Sequence, residues 1–168
     1  MNESALLAAF KARLVAQTWT GSSNVVFPTG CVHVVPRIAE VIQSALNTNR
    51  VPMALIETGP AESDPEHDEE PDLIRFTFDT ALVVAIPGDV VGENAMMGAN
   101  KSGGATASQG RGIVELAQEF YNAVGKLNAL ESITIQVRQK GEQGAIYKQP
   151  SMWIVYRIYS CEAWGTAT

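Results

Sequence analysis

Two cysteines, two histidines and one dense run of acids are the side chains of this sequence best equipped for chemistry. Cys31 and His33 form a C-x-H pair, and thiolate and imidazole both bind zinc. A structural zinc site takes four such ligands, and no second Cys/His cluster is present, so the pair reads as structural. Residues 62–72 hold seven acids (Glu62, Asp64, Glu66, Asp68, Glu69, Glu70 and Asp72) and no Lys or Arg. A calcium loop needs D-x-[DN]-x-[DN]-G with a glutamate at its twelfth position. Here Asp64-Pro65-Glu66-His67-Asp68-Glu69 has an early proline and a glutamate where the turn glycine belongs. The stretch reads as a solvated charge run that keeps an edge from aggregating, with room only for weak, opportunistic divalent binding. His67 lies inside it, where carboxylates favour the charged imidazole, and reads as a solvated loop residue.

Gly98-Ala99-Asn100-Lys101-Ser102-Gly103-Gly104 has the residue types of a phosphate loop in the wrong order. The P-loop runs G-x-x-x-x-G-K-[ST] between a strand and a helix, so that backbone N–H groups and the lysine converge on phosphate. In this chain Lys-Ser precedes the paired glycines. There is also no G-x-S-x-G, no H-E-x-x-H and no Cys–His nucleophile pair with an orienting partner. The densest acids have no apolar surround to raise a pKa. The expectation is a non-enzyme with no catalytic residue, no metal and no cofactor.

The 168 residues set a one-domain expectation, 1–168, long enough for a real core. Net charge is -6, yet outside residues 62–72 there are 11 acids against 12 bases, so the acidity is a local property. No basic stripe exists to neutralise a run of phosphates, which argues against a dedicated nucleic-acid binder. Apolar runs such as Ala81–Ile86 are far shorter than the roughly 18 residues of a membrane span. Lys11 and Arg13 interrupt the first amphipathic stretch, unlike a secretory signal. Cys31 and Cys161 read as free buried thiols of a soluble protein in a reducing compartment.

The elements follow from periodicity. Leu6, Leu7, Phe10, Leu14 and Val15 predict an amphipathic helix over 3–18. Residues 19–35 read as irregular, rich in turn residues. A second helix starts near Pro36, with Ile38, Val41, Ile42, Ala45 and Leu46 as its buried stripe. Residues 51–58 make a short strand, and 59–71 a mobile acidic loop. In the strand 73–86, Ile74, Phe76, Phe78, Leu82, Val84 and Ile86 share one parity. Residues 87–110 form a long glycine-rich loop, of a length that is functional or disordered. A helix over about 111–129 carries Ile113, Leu116, Ala117, Phe120, Val124 and Leu127 at helical spacing. Two strands close the chain, 132–140 and about 151–161, with Gly141-Glu142-Gln143-Gly144 expected as a hairpin loop between them.

The order α-α-β-β-α-β-β implies an α+β fold: a mostly antiparallel four-stranded sheet packed against helices, with two long loops. In the last strand Met152, Ile154, Tyr156 and Ile158 line one face, and Trp153, Val155, Tyr159 and Cys161 the other. Both faces are apolar, whereas one helix layer leaves a wet face on the sheet. Either the N-terminal helices wrap round the second face, or another subunit covers it.

This pattern resembles the tail terminator (tail-completion, tail-to-head joining) proteins of long-tailed bacteriophages. The residues that carry the likeness are the Leu6/Leu7/Phe10/Leu14 helix, the Pro52-Met53-Ala54-Leu55-Ile56 strand and the Ile74–Ile86 strand. To these are added Gly110-x-Gly112-Ile113-x-x-Leu116 at the start of the third helix and the closing strand pair. The likeness covers most of residues 3–160 and lies in architecture, not in a residue signature; the two long loops depart from it. It implies a structural virion protein forming a ring, typically a hexamer, at the head-proximal end of the tail. Such a ring is assembled in the host cytoplasm, stops tube polymerisation and presents a surface to head-completion or connector proteins. DNA passes through its lumen without sequence-specific binding, and no membrane is involved. A neck connector of the same virion region and an unrelated non-catalytic binding module are the alternatives. Candidate assembly residues are Met96, Met97 and Lys101 in the glycine-rich loop, the strand cations Arg75, Arg138, Lys140 and Arg157, and Trp153 and Tyr159. The acidic stretch either lines the lumen or meets basic residues of a neighbour.

Overall fold

The computed structural model describes residues 3–46, 52–63, 73–87, 93–98, 111–125, 134–149 and 152–166. Its elements are α1 (Glu3–Ala16), β1 (Val32–Val35), α2 (Ile38–Leu46), β2 (Met53–Ser63), β3 (Leu73–Pro87), α3 (Glu93–Met97), α4 (Ile113–Gly125), β4 (Thr134–Gln149) and β5 (Met152–Thr166). The strands form one mixed sheet in the order β1-β2-β3-β5-β4. β1 runs parallel to β2, and every other pairing is antiparallel. The α+β class and the mostly antiparallel sheet are as expected, but the sheet gains a fifth strand. β1 lies in the segment 19–35 read as irregular, because Val32-His33-Val34-Val35 is too short to show a period against its turn-rich flanks.

The sheet separates two apolar clusters, as the strand parities dictate. On one face Leu6, Phe10 and Leu14 of α1 and Ile113, Leu116 and Phe120 of α4 meet Phe76, Phe78, Leu82, Val155 and Tyr159. Phe10 sits at its centre, edge-on to Phe78 at 4.7 Å and to Phe120 at 6.1 Å between ring centroids. Burying each such ring contributes about 1.5–3 kcal/mol. On the other face Ile38 and Ile42 of α2 cover Val35, Met53, Leu55, Ala81, Val83 and Ile154. The two N-terminal helices therefore lie on opposite faces; α2 covers the β2 side of the second face, while Tyr156 and Ile158 of β5 on that face stay half-buried. Beyond α2 that face turns polar: Arg75, Thr77 and Asp79 stand opposite Trp164, Glu162 and Ser160.

Several boundaries differ from the sequence reading. Val15, placed in the buried stripe of α1, is 47% exposed, and Gln17 is buried instead. β2 continues through Gly59–Ser63, the first part of the expected acidic loop, past an irregularity between Thr58 and Ala61. The larger correction concerns residues 141–144. They lie inside the 16-residue β4 and not in a hairpin loop. Gln139 pairs with Tyr159 and Gln143 with Arg157, so the extra residues are absorbed as a bulge. Glycine inside a strand marks a bulge as readily as a turn. The 87–110 loop holds a short helix, α3, whose Ala95 is fully buried in the main cluster. Most of the acidic stretch, residues 99–110 and the end of the helix expected to reach residue 129 lie outside the described residues.

Candidate functional site

Among the described residues, Glu119 is a carboxylate bound into the structure. Glu119 on α4 is 4% exposed. Its carboxylate accepts the Thr20 backbone N–H at 2.7 Å, the Gln17 side-chain amide at 2.9 Å and the Asn122 amide at 3.2 Å. Burial pushes its pKa up, but these hydrogen bonds, with the Thr20 hydroxyl, outweigh burial and hold it below the usual glutamate value. A carboxylate kept ionised with its lone pairs occupied is a clamp and not a proton donor. It fastens the 17–26 turn, itself closed by Trp19 N–H to Asn24 O at 3.0 Å and Val26 N–H to Gln17 O at 2.8 Å, onto α4. Trp19 lies under the Arg111 guanidinium, 5.2 Å from the ring centre, and Arg111 also pairs with Glu115 at 3.0 Å. Gln17–Ser23 and Asn122 line an open groove of about 650 Å³ over this turn. The sequence reading missed Glu119. Its available signal was an acid beside the apolar stripe of α4, with a cluster of polar turn residues elsewhere in need of an acceptor.

Burial pushes the Cys161 thiol far up, past the range in which a thiolate forms at neutral pH. Cys31 is likewise buried and free, while His33 is exposed on β1, so the C-x-H pair is divided between core and surface. Among the described residues no three of His, Cys, Asp and Glu are grouped to hold a metal ion. No described helix is long and apolar enough to cross a membrane.

The candidate assembly residues do not form one patch. Met96 packs partly buried against the main cluster, whereas Met97 is 47% exposed. Trp153 packs against that same cluster near the start of β5. Tyr159 is 1% exposed, with rings of Phe120 and Tyr121 at 5.1 and 5.5 Å, and so is a core residue with no surface for a partner. Arg75 is half-buried on the opposite face, opposite Glu62 on β2 and Trp164 on β5. Trp153 and Trp164 are eleven positions apart along β5, about 36 Å of strand. Arg157 is half-buried at a position opposite Leu82 and Gln143. Arg138 sits opposite Ser160, and Lys140 lies in the β4 bulge. Lys101 lies outside the described residues.

Among the described residues, the outer edges at the two ends of the sheet are unpaired. β1 and β4 are its outermost strands, each paired on one side within the chain. Beside β1, residues Glu3, Ser4, Leu7, Ala8, Lys11 and Val34 line a largely apolar groove of about 360 Å³. Val34 itself is 45% exposed. An open strand edge next to an apolar groove is a ready template for another strand. No family model matches the sequence, and no curated protein matches it.

Proposed function

We propose that the chain is a tail terminator of a long-tailed bacteriophage, a ring subunit that caps the tail tube, stops its polymerisation and joins tail to head. One observation carries the reading: helix α4 is set between the hairpins β2–β3 and β4–β5 in a sheet with helices packed on both faces, whose outermost strands β1 and β4 are unpaired on their outer edges among the described residues. That layout agrees with the resemblance drawn from the sequence. The Leu6/Phe10/Leu14 helix, the Met53–Ile56 strand and the Ile113/Leu116 start of α4 all meet at the sheet. A subunit with two unlike open ends associates head to tail, and such contacts generate a ring when the rotation closes. The ring is hexameric in this reading, with tail-tube protein on one side and a head-completion protein on the other.

The test is to add the purified protein to polymerising tail-tube protein and measure tube lengths by electron microscopy. Tubes arrested at a length set by the amount of added protein are expected, with a ring at one end. Unchanged lengths would remove the terminator reading. Rings that bind only the head vertex would transfer it to the neck connector.

A further inference from the structure

We infer that the β1 edge of one subunit receives the β4 edge of a second copy of this chain, joining the two sheets into one. The inference deepens the ring reading and rests on it for the number of copies.

Four observations converge on a second copy as the occupant. Among the described residues no strand pairs with the outer edge of β1 or of β4, and the two edges are unlike, four residues in β1 against 16 in β4, so the contact joins different ends of the molecule. The faces match as well. Val34 stands opposite Ile56, on the face that α1 and α4 cover. On β4, Ile135, Val137, Ala145 and Tyr147 hold register positions opposite Ala163, Cys161, Val155 and Trp153, and so lie on that same face. Residues paired directly across strands share a face. A continuous sheet with both subunits' helices on one side therefore lays apolar positions of β4 beside Val34 and its groove.

The helix layer continues in the same direction. α1 packs beside β1, and α4 packs against β4 and β5. The outward side of α1 carries Ala5, Ala8, Ala12 and Val15, all exposed, with Ser4 and Lys11 as its polar residues beside the groove. The outward side of α4 carries Val114 and Tyr121, 40% and 41% exposed. Pairing β1 with the β4 of a neighbour brings the neighbour's α4 alongside α1. These two weakly polar helix surfaces then cover each other, and no other chain is needed to complete either layer.

Cysteine trapping in the full chain tests this directly. Val34→Cys combined with Val137→Cys or Ala145→Cys is expected to give an oxidised ladder of covalent oligomers, while each single variant gives none. The single variants also control for Cys31 and Cys161, which are buried. Cross-linking by the β4 cysteine alone would mean that β4 pairs with itself, and would overturn the proposal. The absence of a ladder at high protein concentration, with or without oligomers in light scattering, would overturn it too. As a second arm, Ala8→Arg with Val34→Lys alters only exposed positions. It is expected to leave the melting temperature of the dilute, dissociated chain unchanged and to weaken self-association at least about tenfold, the equivalent of one buried valine. Tube capping separates the two readings: a ladder without capping keeps this surface and removes the terminator. Capping without a ladder does the reverse.

Discussion

The Glu119 carboxylate accepts the backbone N–H of Thr20 at 2.7 Å, across 99 residues of sequence. That single bond ties the turn after α1 to the middle of α4, and the Gln17 and Asn122 amides complete the site. Glu119→Ala leaves the Thr20 N–H and the Gln17 amide without their acceptor. A loss of about 3 kcal/mol in urea unfolding at pH 7 is expected, since bonds to a buried charge are worth about 1.5–3 kcal/mol each. The pH dependence has a definite sign. Because the folded pKa is lowered from 4.5, the stabilisation is complete above that value and is lost as pH falls through the lowered one. The stability gap between wild type and Glu119→Gln is therefore expected to close in acid; a constant gap from pH 7 to pH 3 would refute the clamp.

Gly112 admits no side chain. A Cβ there would lie 2.3 Å from the Met96 carbonyl oxygen and 2.5 Å from the Gly98 nitrogen. Gly112→Ala must push α3 away from α4, and a cost of about 2–3 kcal/mol is expected from overpacking. Gly21→Ala is the contrast, with φ at 77° and open space around it. Its cost is backbone strain alone, about 1 kcal/mol. Chemical denaturation of both variants checks the order.

The same contact puts the Gly98 nitrogen within about 4 Å of the Gly112 Cα. These two described ends lie close together, so a short glycine linker in place of residues 99–110 can span the gap. Since loop length changes stability only slowly, the melting temperature of that variant is expected to stay within a few degrees of wild type. If the segment meets tube or head, capping is lost in the same variant, which separates assembly from folding.

Glu57 on β2 accepts the Ile38 N–H at 2.7 Å and so caps α2 from a neighbouring strand. Glu57→Ala is expected to cost about 1 kcal/mol, as loss of an N-terminal capping group does. Hydrogen exchange should show the loss as earlier opening of α2, with α1 and α4 unchanged. Uniform loosening of all helices would contradict this local role.

Both thiols are buried, and burial keeps Cys161 protonated. Neither is expected to react with a thiol reagent in the native state at pH 8, and both should react once urea unfolds the chain. Fast labelling of the folded protein would place a cysteine at the surface and contradict the packing described.

How much was legible in the sequence varies with the kind of signal. Period-2 alternation of Phe76, Phe78, Leu82 and Val84 and helical spacing of Ile113, Leu116 and Phe120 gave the main core, because burial repeats with backbone geometry. Gly141 and Gly144 misled, since glycine signals irregular backbone without saying whether the strand turns or bulges. Of the candidate site residues, Tyr159 was apolar and aromatic but gave no sign of which side of the surface it would occupy. Glu119 was invisible as a clamp because its partners lie about 100 residues away.

The sequence by itself determined the helix and strand faces, the α+β class and the local character of the acidity, since each rests on residues close together in the chain. Only the tertiary structure decided that α1 and α2 take opposite faces of the sheet, that β1 and β4 are its outermost strands and that Glu119 holds the N-terminal turn. Those outcomes depend on which distant segments pair, and pairing is set by the competition for one shared core, which no local pattern records.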